Sequence, residues 1–156
     1  VAINQKEHYI IDLSGLQAIC ERNYLYLKKL LPGIRQLGYS RRIGFTAEQK
    51  MAIELTFTVL GNSPYTSYLQ LRQSRLLGWL AVPELYIRCY HDVRLAEVTF
   101  AQNTRSFKGV YQYPNKAMHQ PDEKKQLNSF LEEWLARCLS AGYEVKPIEL
   151  GTLLDG

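Results

Sequence analysis

The chain has 156 residues, 46% of them hydrophobic and 22% charged, with a formal net charge of +4. That composition excludes a disordered or fibrous protein, and the length is that of one ordinary domain able to bury roughly 70% of its unfolded surface. No apolar run approaches the ~20 residues that span a bilayer, and residues 1–13 lack the basic start and long apolar middle of a signal peptide, so a cytoplasmic protein with no membrane partner is expected.

Residues 1–13 show no clear period and read as an N-terminal arm, with His8, Tyr9, Ile10 and Ile11 able to lie extended. A helix is predicted to open at Ser14, where Gln17 completes a capping-box pattern and Leu13 serves as the staple. Leu16, Ile19, Cys20, Leu27, Leu30 and Leu31 recur at helical spacing. Asn23 falls inside that stripe and is read as a structural amide bonding a neighbouring segment. Lys28 and Lys29 complement the helix dipole in the last turn, and Pro32-Gly33 stops the helix.

Residues 33–42 form a basic connection. Residues 43–46 read as a short strand, and residues 50–60 alternate as a long one, with Met51, Ile53, Leu55, Phe57 and Val59 on one face. Gly61-Asn62-Ser63-Pro64 is a turn by composition, and residues 65–72 return with Leu69 and Leu71 inward. Residues 76–83 are apolar without a period, which fits either a buried crossing or an exposed patch for self-association as a homodimer.

The stretch 85–100 reads as a hairpin folded at His91-Asp92. With those two as the loop, Tyr90 faces Val93, Ile87 faces Ala96 and Leu85 faces Val98. Residues 107–112 add another strand, ended by Tyr113-Pro114-Asn115. Pro121 suits the first position of a last helix, Asp122 and Glu123 its positive end, and Gly142 its stop. Leu127, Phe130, Leu131, Trp134, Cys138 and Ala141 form its apolar stripe, and the tail 143–156 has room for one short strand. The sum is an α+β single domain over 1–156, in which an antiparallel meander of about five to six strands packs one face against an N-terminal helix and a long C-terminal helix.

Tyr90-His91-Asp92, Ala96-Glu97-Val98, Tyr113-Pro114-Asn115, His119-Gln120, Asp122-Glu123-Lys124 and the helix pattern Phe130-Leu131, Trp134-Leu135, Cys138-Leu139, Gly142 together resemble the YqiB-like family of small bacterial proteins of unknown function. The resemblance runs from about Cys20 to Gly142. It implies a bacterial cytosolic protein and carries over no activity and no catalytic residues.

Three readings of function follow from the residues. His91, Asp92, Glu97, His119, Asp122 and Glu123 are the material for a metal site or for acid/base work, and would bind a divalent metal or make a hydrolase-type enzyme if the hairpin tip meets the start of the last helix; otherwise they serve the turn and the helix dipole. Arg35, Arg41, Arg42, Arg88 and Arg94, with Tyr90 and Tyr113, offer charge beside aromatics, as a nucleic-acid or other anionic partner requires. A curved sheet gripping a helix could also enclose a small hydrophobic ligand. A binding or interaction module is the preferred reading. Cys20, Cys89 and Cys138 are odd in number and widely spaced without a C-x-x-C pair, so no disulfide framework or structural zinc site is expected, and no motif names a cofactor.

Overall fold

The computed structural model describes the backbone at residues 2–46, 52–74, 83–103 and 121–145, and side chains at 14–46, 52–73, 84–102 and 123–145. Helix α1 (Ala2–Leu30) leads into strands β1 (Ser40–Thr46), β2 (Ala52–Ser63), β3 (Thr66–Ser74), β4 (Pro83–Tyr90) and β5 (Leu95–Asn103). Helix α2 (Pro121–Ala141) and the two-residue strand β6 (Tyr143–Glu144) follow. The predicted strand at 107–112, residues 76–82 of the aperiodic apolar segment with its self-association patch, and the tail beyond 145 lie outside the described residues.

Helix α1 begins twelve residues earlier than Ser14. The arm read as extended is therefore helical from Ala2 onward, and Ser14 lies inside the helix instead of capping it. Residues 2–13 contain neither proline nor glycine. Extending an existing helix adds a hydrogen bond for each residue fixed, which outweighs the capping tendency of one serine.

The described strands form one antiparallel sheet in the order β5-β4-β3-β2-β1-β6, a meander whose last member returns to pair with β1. Alternation assigns the faces. Ile53, Leu55, Phe57 and Val59 of β2, Leu69 and Leu71 of β3, Leu85, Ile87 and Cys89 of β4, and Ala96 and Val98 of β5 all point inward and are buried. Both helices cover that face, α1 with Tyr24, Leu27 and Leu30 and α2 with Leu127, Leu131, Leu135 and Cys138. Each fully buried leucine or isoleucine contributes about 2 kcal/mol by leaving water. Trp134 of α2 meets Phe45 of β1 edge-on at 6.2 Å and stacks against Phe130 at 4.6 Å.

The β4–β5 hairpin differs from the two-residue reading. His91, Asp92, Val93 and Arg94 all belong to the turn, and Tyr90 pairs with Leu95, Ile87 with Val98 and Leu85 with Ala101. The left-handed residue of the turn is Arg94, with φ 58°, and neither His91 nor Asp92 has a positive φ. Lengthening the loop by two residues preserves the parity of the strand, so Ala96 and Val98 still face the core. A bulge between Tyr86 and Ile87 then absorbs one residue of β5.

The last helix ends where glycine was expected. The Gly142 amide donates to the Cys138 carbonyl, and a side chain at Gly142 would collide with Cys138 backbone and Ile43. The chain can then drop onto β1, where Tyr143 and Glu144 pair with Gly44 and Ile43. Among the described residues, no helix is long and apolar enough to cross a membrane.

Candidate functional site

Two places concentrate polar chemistry. The first is the end of the sheet where the β2–β3 and β4–β5 turns meet the C-terminal half of α1. His91 sits between two hydroxyls: Tyr24 Oη lies 3.0 Å from Nδ1 and Ser67 Oγ lies 2.7 Å from Nε2. Ser67 gives its own proton to Asn62 Oδ1 at 2.6 Å. Nε2–H must then donate to Ser67, which leaves Nδ1 to accept from Tyr24. Arg35 completes the corner by donating to Ser67 Oγ at 3.4 Å and to the carbonyls of Ser63 and Pro64 at 3.1 and 2.9 Å. The His91 amide donates to the Tyr65 carbonyl and joins the two turns.

Burial holds the His91 imidazole below its ordinary pKa, and the nearby charges of Arg35 and Lys28 act in the same direction while Asp92 opposes them. Ser67 occupies an inward position of β3 and is fully buried. A hydroxyl so enclosed is out of reach of a substrate, so the Ser67–His91 pair positions the turns and is not arranged as a nucleophile and base.

The second place is the outer face of the sheet, which neither helix covers. There Tyr68, Tyr86, Phe100, Leu60 and Arg88 line a groove of about 370 Å³. Tyr86 and Phe100 pack at 5.6 Å between ring centroids, and the Arg88 guanidinium lies 5.5 Å from the Tyr68 centroid, within range of a cation–π contact. Beside the groove, Tyr86 donates to the buried carboxylate of Glu84 at 2.9 Å, and Gln70 donates to the same oxygen. Burial, with the Glu84 carboxylate acting as acceptor, raises the Tyr86 pKa.

The family described as "Protein of unknown function (DUF1249)" matches residues 26–144. The chain belongs to the DUF1249 family. It is 33% identical over 144 residues to the uncharacterized protein YqiB of Escherichia coli strain K12, covering 91% of this chain and 99% of that protein. The YqiB proteins of the O6:H1 and O157:H7 strains match to the same extent. No solved structure matches the chain.

In this DUF1249 chain the sequence-derived acid/base set is dispersed among separate partners. Asp92 is exposed at the turn, whereas Glu97 accepts from Tyr90 Oη at 2.9 Å and pairs with Lys124 Nζ at 2.7 Å. No hydrogen bond or ion pair joins Glu97 to His91. Asp122 is the second residue of α2, with its side chain outside the described residues, as is the whole of His119. Among the described residues, no group of three His, Cys, Asp or Glu side chains could hold a metal ion. The cysteines are free and buried, and burial pushes Cys20 up to about 11 and Cys89 and Cys138 up to about 12, which keeps them protonated at neutral pH.

The basic set is also divided. Arg41 donates to the Leu30 carbonyl and lies 3.6 Å from Glu144, and Arg42 pairs with Glu54 at 3.2 Å. Arg88 and Tyr90 belong to the outer face, Arg94 lies 5.8 Å over the Tyr24 ring, and Tyr113 is outside the described residues. Sequence reasoning did not single out Tyr24, Ser67 or Asn128. For Asn128 a signal existed: its spacing to Leu131, Leu135 and Cys138 puts it on the buried stripe of α2, where a polar amide must find partners.

Proposed function

We propose that this protein is a cytoplasmic, non-catalytic binding module that lays single-stranded nucleic acid across the outer face of its sheet. The observation that carries the reading is the Arg88 guanidinium stacked on Tyr68 beside Tyr86 and Phe100, because bases stack on exposed aromatic rings while arginine neutralises the phosphate between them. The acids of this face are already engaged: Glu54 by Arg42, Glu97 by Lys124 and Tyr90, and Glu84 by Gln70 and Tyr86. Arg72 and Arg88 have no carboxylate within ion-pair distance among the described residues, so the face is left with positive charge to offer. A hydrolase reading gains less, since Ser67 is sealed. A small apolar ligand beneath the sheet gains less too, since Leu127, Leu131 and Leu135 occupy that side.

Binding of a single-stranded RNA oligonucleotide, followed by fluorescence anisotropy across a salt series, tests this. Affinity is expected to fall steeply with salt. Tyr68→Ala should weaken it by roughly tenfold, the loss of one stacked base. Because Tyr68 and Arg88 are exposed, the melting temperature of Tyr68→Ala and Arg88→Ala should stay near that of the wild type. Absence of binding at low salt, or binding indifferent to both substitutions, overturns the proposal.

A further inference from the structure

We propose that Lys28, Arg35, His91 and Arg94 form a binding site for a phosphate-type anion at the turn end of the molecule, separate from the outer face. These residues come from three segments: α1, the α1–β1 loop and the β4–β5 turn. Lys28, Arg35 and Arg94 are exposed and His91 is half-buried between them. Arg35 reaches Ser67, the partner of His91 Nε2, at 3.4 Å, Arg94 lies 5.8 Å over the ring of Tyr24, the partner of Nδ1, and Lys28 follows Tyr24 by one turn of α1. The Arg35 and Lys28 charges both act on the imidazole. The acid facing the imidazole is Asp92.

Four cations elsewhere in the protein are already neutralised, although among the described residues Arg72 and Arg88 of the outer face are not. Arg22, Arg41, Arg42 and Lys124 each meet a carboxylate, whereas among the described residues none lies within ion-pair distance of Lys28, Arg35 or Arg94. Arg94 also adopts φ 58°, a conformation that costs a non-glycine residue energy, and its guanidinium turns back over the Tyr24 ring toward the same corner. Asn62 Nδ2, at the far end of the same chain of hydrogen bonds, is a buried donor with no acceptor. The corner is thus rich in donors and short of negative charge. A tetrahedral dianion, whose oxygens accept from several directions at once, suits three cations on separate segments better than a planar carboxylate does.

The test uses the full chain and NMR of the His91 imidazole, titrated with inorganic phosphate against sodium chloride at matched ionic strength. Phosphate is expected to give a saturable shift and to raise the His91 pKa, because a bound anion favours the imidazolium form. Lys28→Gln and Arg94→Asn should each weaken phosphate binding at least roughly fivefold, the loss of one charged hydrogen bond. Asparagine tolerates the left-handed conformation, so Arg94→Asn keeps the turn. Lys28→Gln alters an exposed helical position, and decides the matter alone should Arg94→Asn unfold. Competition by single-stranded RNA identifies the anion as a backbone phosphate, and its absence identifies a small phosphate compound. A linear drift equal to that with chloride, or unchanged affinity in folded Lys28→Gln, overturns the proposal.

Discussion

Among the described residues, two buried polar knots use opposite materials. Where α1, α2 and β5 meet, Asn128 Oδ1 accepts from the Val98 amide at 2.9 Å, its Nδ2 donates to the Lys124 carbonyl at 2.9 Å, and the Asn128 carbonyl accepts from Asn23 Nδ2 at 3.1 Å. Both asparagines are fully buried. Amides and backbone groups have fixed donor and acceptor roles, so this knot has one arrangement. At the turn end, by contrast, Tyr24, His91 and Ser67 are joined through hydroxyls and an imidazole, all of which can exchange roles. The first knot locks the layers together; the second can respond to a proton or an anion.

The largest expected effect falls on the fixed knot. Asn128→Ala leaves the buried Val98 amide without its acceptor and opens a cavity, and should lower stability by about 3 kcal/mol, read from the urea midpoint. Ser67→Ala is expected to cost less, about 1–2 kcal/mol, since His91 can change tautomer and donate to Tyr24 instead. A loss as large as that of Asn128→Ala would erase the distinction between the knots.

The smallest effect sharpens the contrast through pH. Burial and the Arg35 and Lys28 charges hold folded His91 below its ordinary value of 6.5, so as pH falls through that value the unfolded chain takes up the proton first. Stability present at neutral pH should therefore erode below about 6.5 and level off once the folded imidazole is also protonated. Urea unfolding at a series of pH values should show this slope, and His91→Gln should remove its share of it.

Much of this was legible in the sequence. The alternation of Ile53, Leu55, Phe57 and Val59 fixes which face of β2 is buried, because the period of a strand leaves no other choice. Asn23 stood out because it interrupts an apolar stripe. The corner was not legible, since Tyr24 and His91 lie 67 residues apart and Ser67 looks like any small residue in a strand. The hairpin register was misplaced because the residue taking a positive φ is an arginine, which composition gives no reason to choose over His91 or Asp92. The acid/base set paired residues by type, while the fold gives Glu97 to Lys124 and His91 to Tyr24 and Ser67.

The placement of α2 has a mechanical consequence. Asn128, near its start, is fastened to β5 at one margin of the sheet, Trp134 rests on β1 near the other, and the chain leaving the helix zips onto β1 itself. The helix is thereby a tie beam across the full width of the ribbon, and neither outermost strand can peel away without straining the same strut. Amide protons of β1 and β5, which would otherwise exchange early as strands at or near the margins, should open together with α2 in a single cooperative event.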